Sequence, residues 1–381
     1  MLCTVAMWTR PARTSDENGK PTERRRFVYD RRVTSFAVVG AGWRASAYWR
    51  LAAQLNDVSC VGVVVRSPRR LPVPVFESLA ECIAAAKPDF LVTAVPWALN
   101  PGVVEQAVDR GVPVLSETPP APDLDGLRRL WEAVGRSGLV QVAEQYRLMP
   151  SHAARAAAVK SGMIGTPNQV HVSSTQLYHA VSLMRGLLGV ARTPVTVRAS
   201  RHHAPLVDPL NRAGWTDDPV PKTATTTIAT LDFGQDRSGL YDFTDNQTRN
   251  QLRFRRVLVR GSHGELHDDE IVRLTAPRTI VHTALIRRQT GHDLDLQGFD
   301  TDHIACGSDV LYRNPYVGLR FNDDEIATAA LLEATATWVR GAGPAPYPLA
   351  EGVHDHRVAL AIEEAADTDR AVTTTAEPWG S

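Results

Sequence analysis

The chain has 381 residues with 42 basic and 42 acidic side chains, and no apolar run long enough to span a bilayer. That length allows two domains and a large core, and the balanced charge excludes nucleic acid or a membrane surface as the principal partner. Arginine greatly outnumbers lysine, and the four cysteines (Cys3, Cys60, Cys82, Cys306) lack metal-type spacing, so a reducing cytoplasm is the expected location.

Residues 1–32 open with MLCTVAMW, which lacks the length and flanks of a signal peptide, and continue as a polar, patternless stretch. A disordered extension outside the fold is expected there. The apolar run Phe36–Val39 then reads as a buried parallel strand and feeds into Gly40-Ala41-Gly42-Trp43-Arg44-Ala45, a G-x-G-x-x-A turn at the mouth of a helix. In such a turn Gly40 permits the sharp reversal and Gly42 lets a pyrophosphate approach the backbone. Ala45 allows close packing of helix on strand, and the helix N-terminus offers free amides and a positive dipole end. Gly40, Gly42, Trp43, Arg44 and Ala45 are therefore the expected binding residues for a dinucleotide.

A second strand, Ser59–Val65, ends in Arg66-Ser67-Pro68-Arg69-Arg70. NAD-selective sheets place an acidic residue at that point to bond the ribose 2′-OH. A hydroxyl and several guanidiniums instead suit a 2′-phosphate, so Arg66, Ser67 and Arg70 favour NADP(H), with NAD(H) as the other possibility. Helices over 78–86, 100–110 and 123–136 alternate with strands over 89–96, 112–117 and 139–143, which predicts a parallel sheet covered on both faces over 33–150. Ligands bind beyond the carboxyl ends of such strands, where Gly40, Pro96 and Glu117 fall.

From 151 to 381 the pattern changes. Helices are expected over 151–161, 176–188, 323–340 and 351–367. Between them lie strands over 169–174, 195–203, 223–233, 238–244, 254–261 and 279–288. This half reads as an α+β domain with an open, largely antiparallel sheet. The polar loop 245–256 is the expected mobile segment. His202-His203 and His354-Asp355-His356 have no accompanying carboxylate cluster, and no metal site is expected.

Taken in order, AVVGAGWRA, TAVPWALN, GVPVLSETPP, YRLMP, YHAVSLMRGLLG, VRGSHGEL and PLAEGVHDHRVALAIEEA form a set. The chain resembles the glucose–fructose oxidoreductase/inositol dehydrogenase/MocA (Gfo/Idh/MocA) family of NAD(P)-dependent oxidoreductases over about Val33 to Val372. The resemblance implies a Rossmann domain and a second domain whose sheet is often the oligomer interface, so a homo-oligomer is expected. It also implies sugars, cyclitols or related small polar molecules as substrates. Pro96 and Asn100 take the places of a proline and a frequent histidine beside the cofactor. Glu117-Thr118-Pro119 aligns with the family's E-K-P, and His179 with the histidine that contacts the reacting oxygen. Two departures stand out: Thr118 replaces the usual lysine and Thr175 the usual aspartate.

Hydride transfer needs a proton partner for the substrate oxygen, and a histidine, with an ordinary pKa of about 6.5, suits that task unaided. His179 is the expected acid/base, with Tyr178 assisting and Tyr146 and Arg147 as substrate contacts. Glu117 is expected to bond the ribose or the nicotinamide amide, and Thr118 to donate a hydrogen bond. Lys222 is a candidate replacement base. The missing lysine and aspartate leave one alternative, a cofactor-binding protein that no longer catalyses and acts as a sensor or subunit.

Overall fold

In the computed structural model, which describes residues 33–67 and 69–380, the first apolar run forms β1 (Thr34–Val39) and the glycine turn leads into α1 (Trp43–Ala52). The expected N-terminal extension lies outside the described residues, as does Pro68 in the loop after the second strand. There follow β2 (Val58–Val64), β3 (Val75–Phe76), α2 (Leu79–Ala86), β4 (Phe90–Thr93), α3 (Asn100–Val108), β5 (Val114–Ser116), α4 (Leu124–Val134) and β6 (Val140–Val142). Ser78 and Asp123 start α2 and α4 by accepting the amides of Glu81 and Gly126, each satisfying an amide that has no partner within the helix. The strands form one parallel sheet in the order β3-β2-β1-β4-β5-β6, the doubly wound arrangement expected from the alternating pattern. Its central strands are apolar throughout because helices cover both faces: Phe36, Val38, Phe90 and Val92 are fully buried.

After a 3-10 turn at Tyr146–Leu148 come α5 (Pro150–Lys160), β7 (Pro167–Ser173), α6 (Leu177–Leu188), β8 (Thr196–Leu206), the small hairpin β9 (Leu210–Asn211) and β10 (Gly214–Trp215), β11 (Lys222–Asp232) and β12 (Ser238–Thr244). The meander β13 (Arg256–Gly261), β14 (Gly264–His267), β15 (Glu270–Ala276), β16 (Thr279–Thr290), β17 (Asp300–Cys306) and β18 (Asp309–Arg313) follows. The chain closes with α7 (Asp323–Val339), α8 (Leu349–Thr368) and β19 (Val372–Thr373). Eleven strands make one sheet, β18-β17-β16-β15-β14-β13-β7-β12-β11-β8-β19. Only its β7–β12 pair is parallel.

Val33–Ser381 is one compact unit, and two features tie its halves. Helix α7 returns to the first sheet, where Leu331, Leu332 and Ala336 share a core with Tyr48, Trp49 and Phe90. At the C-terminus the buried Trp379 packs edge-on against Trp131 of α4, and its carbonyl accepts from Arg192 Nε at 2.7 Å. One face of the large sheet is covered by α5, α6 and α8. On the other face Ile228, Leu274, Ile280 and Ile286 are exposed. Among the described residues no helix is long and apolar enough to cross a membrane.

Candidate active site

The turn between β1 and α1 is built around Gly40, whose φ of +111° is a glycine conformation. Its amide donates to Val64 O at 2.9 Å, and a Cβ there would sit 2.3 Å from Ala94 O. Gly42 caps α1 with no side-chain hydrogen bond, and a Cβ on it would meet nothing within 4 Å. The first amides of α1 therefore face open space with no side chain to satisfy them. This cradle fits a diphosphate.

From this turn a cleft of about 1040 Å³ runs towards the large sheet; Gly42, Trp43, Arg44 and Ala45 line its start. Trp43 is exposed, and the guanidinium of Arg212, from the β9–β10 hairpin, lies 4.7 Å from its ring centre. Arg44 turns inward. Its Nε donates to Glu117 Oε1 at 2.6 Å and its Nη1 to Asp324 Oδ2 at 2.9 Å. Tyr48 also donates to Glu117. Desolvation and that carboxylate push the Tyr48 hydroxyl well above its ordinary pKa. Glu117 thus braces the strand end against α1, Arg44 carries the tie on to Asp324 of α7, and the carboxylate expected for a ribose or amide is already committed.

Asn100 lines the cleft but is buried. Its amide accepts from Thr93 Oγ1 at 2.6 Å and donates to Ser116 Oγ and Pro120 O at 2.8 Å each. It fastens two strand ends and holds the cleft floor in place of a ligand. Thr118 lines the cleft beside it. Pro96 is exposed outside the lining, between Val95 and Trp97, which do face the cleft. Arg66, Ser67 and Arg70 are exposed at the end of β2. Their neighbour Arg69 donates from Nη1 to Ala41 O at 3.2 Å, which brings this loop against the glycine turn.

His179, near the start of α6, lines the same cleft. Its Nδ1 lies 2.7 Å from Glu144 Oε2, and the Glu144 side chain is fully buried. The second Glu144 oxygen accepts the Tyr146 amide at 3.1 Å. With Nδ1 held by a carboxylate, the imidazole keeps one orientation and presents Nε2 to the cleft. Tyr146 stacks on it with ring centres 4.2 Å apart, and desolvation raises the Tyr146 hydroxyl. Thr175, at the position that resemblance assigns to aspartate, is fully buried. The carboxylate comes instead from Glu144, just past β6. The sequence did carry a signal for it: an acidic residue two places beyond an apolar strand end, on the ligand side of the sheet.

Two expected site residues point elsewhere. Tyr178 meets His179 edge-on at 5.4 Å between ring centres but is buried, with its hydroxyl towards Gly352 on α8. Successive helical residues are about 100° apart, so 178 faces the core where 179 faces the cleft. Arg147 packs over the Tyr347 ring at 5.7 Å and lines a second cavity of about 330 Å³ behind the site. It is separated from Tyr146 by the same geometry. Lys222 is exposed and pairs with Asp218 at 2.8 Å, outside the cleft.

Beneath His179, α6 is tied to α8 by Arg185, which donates to Asp355 at 2.6 Å and Glu351 at 2.7 Å. Tyr347 donates to the other Asp355 oxygen. Burial raises Asp355 to about 6 despite these partners. His354 and His356 flank it on α8 and are lowered by burial to about 3 and about 4. The loop expected to be mobile is pinned. Buried Gln247 binds Thr244 N, Ser173 O and Phe254 O, and buried Asn250 donates to Val207 O at 2.9 Å.

Residues 34–146 match the model of the GFO_IDH_MocA family, described as an oxidoreductase family with an NAD-binding Rossmann fold. Inositol 2-dehydrogenase 4 of Saccharopolyspora erythraea is 30% identical over 140 residues, which is 32% of this chain and 41% of that protein. The chain spans about half the length of the curated relatives it matches, between 41% and 56%. A solved oxidoreductase from Agrobacterium radiobacter, in complex with NAD+, L-tartaric acid and magnesium, shares the fold with a TM-score of 0.67 at 16% identity, covering 90% of this chain and 98% of that one. A myo-inositol dehydrogenase from Corynebacterium glutamicum gives 0.62 at 19% identity, covering 91% and 100%.

Proposed function

We propose that the protein is an oxidoreductase of the Gfo/Idh/MocA type, whose family model residues 34–146 match, and that it transfers hydride between a nicotinamide dinucleotide and a small polyhydroxylated substrate. The observation that carries this reading is the His179–Glu144 pair, held at 2.7 Å in the same cleft as the open amide cradle at Gly42. When bound, the nicotinamide supplies the hydride acceptor or donor. The α1 amides would hold the diphosphate, and Arg44, committed to Glu117 and Asp324, fixes the wall beside them. As a substrate hydroxyl becomes a carbonyl, its carbon loses hydride and its oxygen loses a proton. His179 takes that proton at Nε2 while Glu144 offsets the charge gained by the ring. In the reverse direction His179 returns it. Glu144 replaces the carboxylate missing at Thr175, which favours catalysis over a purely cofactor-binding role.

His179→Ala should lower turnover by about 10²–10⁴-fold and leave dinucleotide affinity nearly unchanged. Undiminished turnover would remove His179 from the mechanism. NADP(H) is the proposed cofactor, supported by exposed Arg66, Ser67 and Arg70 at a strand end without an acidic residue. Titration should show NADPH binding tighter than NADH, and the opposite order would discard this preference. The exposed Ile228, Leu274, Ile280 and Ile286 support a homo-oligomer formed through the open sheet face. Light scattering on Ile286→Arg should then give a smaller species than the parent protein.

A further inference from the structure

The charges of the cleft do not balance, and the imbalance has a place. Every carboxylate lining it is engaged. Glu117 and Asp324 are held by Arg44, Asp323 accepts both Arg287 nitrogens at 2.7 Å, and Asp268 accepts the Val257 amide at 2.8 Å. Arg155 is likewise committed, to Asp268 O at 2.7 Å and Asp269 at 3.1 Å. Arg212, Arg249 and Arg255 also line the cleft, and none of them forms an ion pair among the described residues. Arg212 covers Trp43 and belongs to the dinucleotide end. Arg249 and Arg255 lie on the β12–β13 connection.

Two observations join Arg255 to the reacting centre, and a third fixes the backbone that carries both arginines. His152 is 6.4 Å from Tyr146 between ring centres, and Tyr146 stacks on His179. Burial, with Arg155 and Arg255 beside it, lowers His152 to about 3, so its ring stays neutral and leaves the positive charge to the guanidiniums. The connection is anchored by the buried amides of Gln247 and Asn250, so the arginines are presented from a fixed backbone.

We infer that the substrate is an anionic polyol, a sugar or cyclitol derivative whose carboxylate or phosphate is received by Arg249 and Arg255 while the carbon to be oxidised faces His179. Guanidiniums take either anion through paired, charge-assisted hydrogen bonds. Unopposed positive charge in a confined cleft also draws such ligands in.

This inference rests on the oxidoreductase reading, and the experiment separates the two. The protein is first titrated with NADP(H) and NAD(H); binding of neither sinks the oxidoreductase reading itself, and the oxidised form of whichever binds takes the place of NADP+ below. The NADP+ complex is then titrated by calorimetry with D-gluconate, D-glucose 6-phosphate and D-glucose, and turnover is measured on matched acidic, phosphorylated and neutral sugars and cyclitols. One anionic class should bind at least about 10-fold tighter than its neutral counterpart, as expected for a charged hydrogen bond; which class wins tells carboxylate from phosphate. Arg255→Ala and Arg249→Ala should erase that preference, Arg255→Lys should keep part of it, and NADPH affinity should stay within about twofold of the parent. Equal binding of neutral and anionic ligands, or of neither anion, overturns the inference. A preference that survives both alanine variants, or alanine variants that weaken NADPH instead, overturns it too. Thermal melts confirm that each variant is folded.

Discussion

The two ends of the cleft are made in different ways. At the end proposed for the dinucleotide the available groups are backbone amides, delivered by a stretch of ten residues from Phe36 to Ala45. At the other end they are side chains from separate parts of the chain. Glu144 follows β6, Tyr146 begins a 3-10 turn, His152 is on α5, His179 on α6 and Arg255 before β13. A backbone site needs only local conformation, so contiguous residues specify it. A side-chain site needs several elements docked correctly, and the docking is held elsewhere, as by Arg185 between α6 and α8.

If that contrast holds, damage to one end should spare the other. The largest effect is expected from Arg185→Leu, which strands the fully buried Asp355 without its cation. Denaturant unfolding should show a loss of about 3–5 kcal/mol, with turnover falling more than dinucleotide affinity. Gly40→Ala should do the reverse. Its strained φ and contact with Ala94 O should cost about 1–3 kcal/mol and weaken NADPH binding, while the His179–Glu144 pair persists. Glu144→Gln tests positioning: kcat should drop about 10- to 100-fold with KM and cofactor affinity little changed, and Glu144→Asp should recover part of the loss. A variant that simply unpacks the core would instead lower the melting temperature and move all three together.

Acid stability is the least specific of these tests, because it reads the whole fold and not one end of the cleft. His152, His354 and His356 are lowered to about 3, 3 and 4, whereas unfolded histidine binds its proton near pH 6.5. Below that pH the unfolded chain binds more protons, so stability should be full above about 6.5 and decline as pH falls towards 4. Asp355, raised to about 6, acts with the opposite sign between about pH 4 and 6 and softens the slope without reversing it. Denaturation midpoints across pH 4–7 check this.

The same contrast explains what could be read in advance. Apart from the two-residue edge strand β3, the first sheet, its helices and the glycine turn were legible because a sheet buried on both faces writes continuous apolar strands. The hairpins of the second sheet were less so. In β15, for example, Arg273 stands on the covered face with Ile271 while the apolar Leu274 stands on the open one, which breaks the alternation. His179 was legible through resemblance. Tyr178 and Arg147 were placed in the site by adjacency in sequence, which a helix and a 3-10 turn convert into opposite directions. Glu144 carried a signal in its place just past an apolar strand end, but the pairing that gives it a role forms only once β6 and α6 meet. The loop at 245–256 reads as polar and free, yet Gln247 and Asn250 spend their amides on buried backbone.

The return of α7 bears on how this chain can be cut or recombined. Its leucines 331 and 332 complete an apolar layer begun by Tyr48 and Trp49, so a fragment ending near Pro150 would present that layer to water. Chimeras that exchange nucleotide-binding halves between relatives would have to carry residues 323–339 along with the first 150. The folding unit around the first sheet is therefore discontinuous, written in two stretches of the gene.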